Sequence, residues 1–173
     1  MSKPEFSVRP SPRSGARVAV ASDHAGFEMK AHVVRLLERE GVDSVDLGPE
    51  APESVDYPDF AARVASGVSE GRYGAGILIC GSGQGMTITA NRFRGVRATL
   101  CLNCEMARLA RQHNDSNVLV LAGRMTSKPG VTKLLKTWLD TDFEGGRHQR
   151  RLELIETCSG TTGSAGSKGG RGR

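Results

Sequence analysis

One segment near the middle of the chain constrains the fold most, because it joins a strand pattern directly to a glycine-rich turn and a helix pattern. Residues 77–91 read Ile-Leu-Ile-Cys-Gly-Ser-Gly-Gln-Gly-Met-Thr-Ile-Thr-Ala-Asn. Three β-favouring residues end at Cys80, three glycines follow at alternate positions, and a helix-capable sequence begins at once. The backbone amides of such a turn can bind a phosphate, a carboxylate or a developing oxyanion, with the Cys80 thiol beside them.

The rest of the chain alternates strand and helix patterns in the same way. Helical patterns follow the strand patterns, which are predicted at 17–22, 42–47, 76–80, 96–100 and 118–122. This alternation predicts an α/β fold, a three-layer α/β/α sandwich with a parallel five-stranded Rossmann-like sheet. The last helix is predicted over 147–156, with Leu152 and Ile155 facing inward.

The distribution of charge and composition divides the chain into a body and two tails. Its 173 residues are enough for one self-supporting domain, which we place at 17–157. The proline-containing arm 1–16 and the Gly/Ser-rich tail 158–173 are predicted to be disordered. The formal net charge of +5 comes from these tails, because basic and acidic residues balance within 17–157. A neutral body argues against a nucleic-acid-binding surface.

The four cysteines do not form the framework of a small disulfide-rich domain, and the N-terminus carries no apolar secretory region. We therefore expect a cytoplasmic protein, and no apolar run of the ~18 residues that cross a bilayer is present in the sequence. Cys101 and Cys104 have CxxC spacing but lack a second pair, so we interpret them as ordinary small residues. Cys80 is the one thiol in an electropositive setting, where loop amides and a helix N-terminus favour the thiolate.

Polar residues are predicted to gather at one edge of the sheet. Ligands of open parallel sheets bind beyond the carboxyl ends of the strands. The groups predicted there are Asp23-His24 after the first strand, the turn that begins at Cys80, and His113-Asn114 before the fifth strand. For each residue alone, helix capping or loop filling is an equally ordinary explanation. Their joint occurrence favours a site.

Arg147 and Arg151 lie four residues apart on one face of the last predicted helix. Like charges at that spacing repel unless an anion lies between them, so the pair predicts a phosphate site that Arg124 could join. The alternative is a solvated basic face. Tyr57 could line a pocket or simply pack within its loop.

The glycine turn itself excludes two common nucleotide motifs. No Lys-Ser/Thr pair follows, as a P-loop requires, and Met86 stands where a dinucleotide-binding turn needs its third glycine. A tight strand-to-helix turn without a ligand is the remaining alternative.

Together these residues resemble the type B ribose-5-phosphate isomerases, a family that also contains allose-6-phosphate and galactose-6-phosphate isomerases. Seven ordered blocks are far more specific than one glycine loop. The blocks are Ser-Asp-His-Ala-Gly-Phe (22–27), Asp-Tyr-Pro (56–58), Ile-Cys-Gly-Ser-Gly-Gln-Gly (79–85), Ala-Asn (90–91), Gly-Val-Arg-Ala (95–98), Arg-Gln-His-Asn-Asp-Ser-Asn (111–117) and Glu-Gly-Gly-Arg-His-Gln-Arg-Arg (144–151).

The resemblance implies a metal-free and cofactor-free aldose–ketose isomerisation of a sugar phosphate through an enediolate. It implies that Cys80 is the base and that His113, oriented by Asp23 or Asn114, helps to open the sugar ring. One subgroup lacks the cysteine and carries a glutamate base at the position of Met86. The resemblance further implies that the enediolate oxygen is stabilised by the Ser82 hydroxyl and the amides of Gly81, Gly83 and Gly85. The phosphate would be held by His24, Arg124, Arg147 and Arg151.

The family members work as a homodimer or a dimer of dimers, with active sites shared between two subunits. The reaction that we expect is the interconversion of ribose 5-phosphate and ribulose 5-phosphate in the pentose phosphate pathway. Allose 6-phosphate, galactose 6-phosphate or a tetrose phosphate are alternative substrates. A non-catalytic phosphate-sugar-binding module is a further alternative, which the joint presence of Cys80, Asp23 and His113 disfavours.

Overall fold

The computed structural model describes residues 15–158, which form one parallel sheet with helices on both faces. The predicted arm 1–16 and tail 158–173 lie outside the described residues, except for residues 15, 16 and 158. The elements in chain order are β1 (Val18–Ser22), a short 3-10 helix (His24–Gly26), α1 (Phe27–Arg39), β2 (Ser44–Asp46), α2 (Tyr57–Ser69), β3 (Ala75–Cys80), α3 (Gln84–Ala90), β4 (Ala98–Leu100), α4 (Cys104–Asn114), β5 (Val118–Ala122), α5 (Lys128–Asp140) and α6 (Arg147–Cys158).

The five strands lie in the order β2-β1-β3-β5-β4, and every neighbouring pair is parallel. This confirms the predicted three-layer α/β fold. Strand β2 lies on one side of β1, and the chain then crosses to place β3 on the other side. The strand order therefore reverses between β1 and β3. Open sheets of this kind form a crevice at that point, beyond the carboxyl ends of the two strands.

Two hydrophobic cores cover the two faces of the sheet. One face packs against α1, α4 and α5, and it receives Ile77 and Ile79 from β3 and the fully buried Trp138 from α5. The other face packs against α2 and α3 and receives Leu78 and Cys80. Because successive strand residues point to opposite faces, β3 is apolar along its whole length, as expected for a strand covered on both sides.

Helix α6 lies beside α4 at the margin of the domain. Leu152 is buried, as predicted, but Ile155 is 56% exposed, so its predicted inward position is wrong. A helix that packs against the domain along one edge buries only a narrow row of its side chains, and Ile155 lies outside that row. Within residues 15–158, no helix combines the length and apolar character needed to cross a bilayer.

Candidate active site

A cavity of about 470 Å³ opens beyond the carboxyl ends of β1, β3 and β5. It lies where the strand order reverses, which is the expected place for a ligand in an open parallel sheet. Most of the predicted site residues form its wall. The lining residues are Asp23, His24, Tyr57, Cys80, Gly81, Ser82, Gly85, Arg124 and Met125.

Cys80 is the last residue of β3, and its thiol lies at the start of the glycine turn. Only 5% of the residue is exposed. The Gly83 amide donates a hydrogen bond to Sγ at 3.1 Å, so the turn folds back over the sulfur. Strand β5 holds the Cys80 backbone, because Cys80 pairs in register with Ala122.

The electrostatic setting of Cys80 differs from the sequence-based expectation. Burial raises the pKa of the Cys80 thiol, and the backbone amides of Gly83 and Met86 oppose that rise. The negative charge of Asp23 also raises the pKa, and the Ser82 amide lowers it. The net direction is upward, so the surroundings of Cys80 favour the thiol rather than the thiolate. Loop amides were predicted correctly as neighbours, but the desolvation of the sulfur outweighs them.

Two glycines, Gly83 in the turn and Gly85 at the start of α3, closely approach neighbouring side chains. Gly83 adopts a left-handed conformation with φ of +79°, and a Cβ there would lie 2.3 Å from Cδ1 of Leu100. A Cβ at Gly85 would lie 2.5 Å from Cζ of Tyr57, so the tyrosine ring rests on the backbone of the turn. Tyr57 is therefore a wall of the cavity and not only a packed loop aromatic. Met86 is fully buried among the residues of α2 and α3.

Asp23 and His24 reach the cavity from the end of β1. The Asp23 amide donates to the Ile79 carbonyl at 3.1 Å, which ties this segment to β3. The Asp23 carboxylate accepts from the Gly26 amide at 2.9 Å and so caps the 3-10 helix. The Val55 amide lies 3.5 Å from Nδ1 of His24 and orients the ring. The capping explanation for Asp23 is thus correct, and the same residue also faces the cavity.

Arg124 reaches the cavity from the loop after β5. Its amide donates to the Gly81 carbonyl at 3.2 Å, and the Gly123 amide donates to the Cys80 carbonyl at 2.8 Å. The loop that carries the guanidinium is therefore attached to the glycine turn. Met125 follows at the mouth of the cavity and is 66% exposed. Sequence reasoning missed Met125, because a lone methionine in a loop carries no chemical signal.

His113 and Asn114 do not lie where they were predicted. They end α4 just before β5, and the segment that precedes a parallel strand lies at the amino edge of the sheet. Cys80 lies at the carboxyl edge, and the four steps of β5 alone separate the edges by roughly 13 Å. One chain therefore does not bring His113 to Cys80 or to Asp23. The prediction was wrong because it placed a residue before β5 with residues that follow strands.

His113 instead belongs to a second polar cluster with residues that precede and begin α6. Its ring stacks on the ring of His148, with centroids 4.1 Å apart and an interplanar angle of 6°. Oε2 of Glu144 lies 3.9 Å from Nε2 of His113 and 3.7 Å from Nε2 of His148. These three residues are close enough to be considered as metal ligands. However, the lone pairs of parallel stacked rings lie in separate planes, so a shared ion would require both rings to turn.

Arg147 and Arg151 flank this second cluster. Nε of Arg147 lies 3.5 Å from Nε2 of His148, and both arginines lower the pKa of His148 through their charge. Both side chains are exposed. Arg124 lies in the Cys80 cavity, so within one chain it does not join this pair. The block 144–151 was part of the family resemblance in the sequence. Within it, His148 and Glu144 were not predicted as site residues.

A buried ionic network fixes the backbone immediately after His113. Asp115 is fully buried with φ of +41°, and its carboxylate accepts from Arg97 at 2.7 Å and from Arg111 at 2.8 Å. Nε of Arg97 also donates to the Asn114 carbonyl at 2.9 Å. Paired buried charges are costly to separate, so this network makes the His113 turn rigid.

Comparison with known proteins gives the family. The sequence profile of the ribose/galactose isomerases matches residues 18–155. The chain belongs to this family. Ribose-5-phosphate isomerase B of Escherichia coli (strain K12) is 42% identical over 139 residues, which are 80% of this chain and 93% of that relative. The resemblance noted in the sequence is therefore confirmed.

Solved structures of the family share the fold. A ribose 5-phosphate isomerase from Thermotoga maritima is 47% identical with a TM-score of 0.80, over 82% of this chain and 98% of that chain. Ribose-5-phosphate isomerase B from Mycoplasma genitalium with bound ribulose-5-phosphate is 40% identical with a TM-score of 0.82. That match covers 84% of this chain and 97% of that chain. The match leaves almost no part of these relatives uncovered.

Proposed function

We propose that this protein is an aldose–ketose isomerase that interconverts ribose 5-phosphate and ribulose 5-phosphate, with Cys80 as the base. The observation that carries the proposal is the buried Cys80 thiol in a cavity lined by the glycine turn, in a chain of the ribose/galactose isomerase family. The reaction would belong to the pentose phosphate pathway in the cytoplasm, and it needs no metal or cofactor.

The proposed chemistry moves one proton between neighbouring carbons. The Cys80 thiolate removes the proton from C2 of the open-chain aldose and returns it to C1, while the O2 proton passes to O1. The enediolate between these steps carries negative charge on oxygen, which preorganised donors stabilise best. The donors are the Ser82 hydroxyl and the amides of the turn, including Gly81, Gly83 and Gly85.

We further propose that two copies of the chain complete each site. Ring opening requires a proton on the ring oxygen close to the same sugar that Cys80 deprotonates, yet His113 lies at the opposite edge of the sheet. A second chain that presents its His113 and Asn114 to the Cys80 cavity resolves this separation. The same contact supplies Arg147 and Arg151 to the phosphate. Arg124 and His24 reach it from the first chain.

The test is complementation between two inactive variants, Cys80→Ala and His113→Ala. In a mixed homodimer one site carries both changes and the other carries none. Random reassembly of equal amounts should therefore restore roughly one quarter of the wild-type rate per total protein. The measurement is a coupled assay with ribose 5-phosphate on the unmixed and reassembled samples. A mixture no more active than its components contradicts the shared site, and an inactive wild type contradicts the isomerase.

The same assay separates the alternative substrates. Wild-type protein is compared on ribose 5-phosphate, allose 6-phosphate, galactose 6-phosphate and a tetrose phosphate, with kcat/KM as the measure of preference. We expect the pentose phosphate to give the highest value. Turnover of none of these sugars together with measurable binding would support a non-catalytic phosphate-sugar-binding module.

A further inference from the structure

His148 covers one face of the His113 ring. It lies in the first turn of α6, where its amide donates to the Gly145 carbonyl at 3.1 Å, and only 6% of the residue is exposed. The two rings are parallel within 6° at 4.1 Å. About a third of the His113 side chain remains exposed. The stack therefore restricts rotation of His113 and leaves part of its ring accessible to a ligand.

Glu144 approaches both rings from the segment between α5 and α6. Its carboxylate lies 3.9 Å from Nε2 of His113 and 3.7 Å from Nε2 of His148. The Glu144 amide donates to the Gln112 carbonyl at 3.0 Å, so the carboxylate is anchored to the helical turn that carries His113. A negative charge at this distance stabilises a protonated imidazole.

Burial and the surrounding charges favour a neutral His148 ring. Burial, followed by the neighbouring His113 and Arg147, lowers the pKa of His148. His148 is therefore neutral at neutral pH, and it packs against His113 as an uncharged ring. The charged groups that act on this cluster are Glu105 and Arg108 from α4, Glu144 from the loop, and Arg147 and Arg151 from α6.

We propose that His148 and Glu144 are positioning residues, which hold the His113 imidazole in the orientation needed to open the sugar ring. This inference rests on the proposed function. In the step concerned, the C1–O4 bond of the furanose breaks, the proton of the C1 hydroxyl passes to solvent water as C1=O forms, and His113 donates a proton to O4. The stack and the Glu144 carboxylate beside Nε2 together fix the direction of the donating N–H.

Two substitutions at His148 separate the role of the ring face from that of the ring nitrogens. His148→Phe keeps a flat ring against His113, whereas His148→Ala removes the stack. We expect His148→Ala to slow the conversion of ribose 5-phosphate by roughly 10- to 100-fold and His148→Phe to retain most of the rate. Glu144→Gln should also slow this conversion, while Glu153→Gln, which removes an exposed charge from α6, should not.

Single turnovers with enzyme in excess distinguish ring opening from proton transfer. Ribulose 5-phosphate cannot form a furanose, because the oxygen that would close its ring carries the phosphate. The first turnover from ribulose 5-phosphate to total aldose, measured after an acid quench, therefore tests proton transfer by Cys80 alone. His148→Ala and Glu144→Gln should slow the turnover from ribose 5-phosphate and leave the first turnover from ribulose 5-phosphate close to wild type.

Each outcome bears on one of the two proposals. If wild-type protein converts neither sugar, the proposed function fails. If wild type converts both and His148→Ala slows both directions equally, the residue is only structural and the positioning role is overturned. An unchanged rate from ribose 5-phosphate in His148→Ala overturns it as well. Should His148→Ala fail to fold, Glu144→Gln carries the same directional comparison.

Discussion

Cys80 combines two opposing influences on one sulfur atom. Burial in the α2 and α3 side of the core raises the pKa of its thiol, while the amides of Gly83, Met86 and Ser82 hold it closer to the ordinary value. A buried thiol is protected from solvent, and the same burial makes its thiolate a stronger base once formed. The glycine turn thus has two roles in the proposed reaction, since its amides act on both the sulfur and the enediolate.

The first prediction concerns the base itself. Cys80→Ser replaces the thiol with a hydroxyl that is far less acidic, so kcat for ribose 5-phosphate should fall by about 10²- to 10⁴-fold. KM should change little, because the phosphate contacts remain. The control is Cys104→Ser, which alters a half-buried thiol in the first turn of α4, away from the cavity. Near-normal turnover in Cys80→Ser would refute the assignment.

The second prediction is a pH dependence. A thiol with a raised pKa remains protonated until the pH exceeds the ordinary thiol value, and only the thiolate accepts the C2 proton. The value of kcat/KM for ribulose 5-phosphate, which reacts without ring opening, should therefore increase with pH across the neutral and mildly alkaline range. The pH–rate profile of the free enzyme checks this. A profile that is flat over this range, or that falls, contradicts a thiolate base.

At the level of elements, the turn between β3 and α3 depends on backbone conformation as much as on side chains. Gly83 provides a positive φ that other residues adopt at a cost, and its amide is the donor to Sγ of Cys80. The neighbouring Leu100 of β4 occupies the space where a Cβ would stand. The position of the Gly83 amide and the packing of β4 against the turn are therefore linked.

The third prediction uses this link. Gly83→Ala should lower the free energy of unfolding by more than the roughly 1–2 kcal/mol of a left-handed alanine, because Leu100 must also move. It should reduce kcat as the amide shifts away from Sγ. Gly71→Ala is a matched control, since Gly71 has φ of +76° but no neighbouring atom within 4 Å of its Cβ position. Chemical denaturation and the isomerase assay measure both effects, and equal losses in the two variants would contradict the prediction.

The predicted boundaries were most accurate for strands that pair with another strand on each side. The predicted strand 118–122 matches β5, which pairs on both sides. The predicted strands 42–47 and 96–100 correspond to three-residue strands, β2 and β4. These two lie at the edges of the sheet, where pairing on one side only shortens the regular ladder. Hydrophobic pattern reports which residues favour a strand, but pairing decides how many of them form one.

For the whole molecule, the residues of the proposed site fall into two groups. One surrounds Cys80 at the carboxyl edge of the sheet, and the other surrounds His113 at the amino edge. The buried Asp115 network and the stacked histidines give the second group a rigid framework. Because one chain does not bring the two groups together, the proposed reaction depends on the proposed contact between two chains.

The fourth prediction concerns the phosphate contacts that assembly would supply. Arg147→Ala or Arg151→Ala removes a charged hydrogen-bond donor, so KM for ribose 5-phosphate should rise by roughly tenfold or more. The value of kcat should fall much less. Steady-state kinetics with Arg150→Ala as the control, an exposed arginine between them in sequence, isolates the effect. Equal KM values in the Arg147 and Arg150 variants would refute the phosphate role.

Local sequence patterns were sufficient to predict the α/β alternation, the glycine turn and the thiol beside it. These features depend on residues that are close together in sequence. The periodicity of the apolar residues and the conformational freedom of glycine therefore indicate them directly. The burial that raises the pKa of Cys80, the stacking of His148 on His113 and the exposure of Ile155 depend on elements packed together by the fold. The separation of His113 from Cys80 follows from strand direction, because all carboxyl ends of a parallel sheet share one edge. Chain order in a parallel sheet therefore already places a residue that precedes β5 at the amino edge, whereas burial and side-chain contacts are decided by the tertiary structure alone.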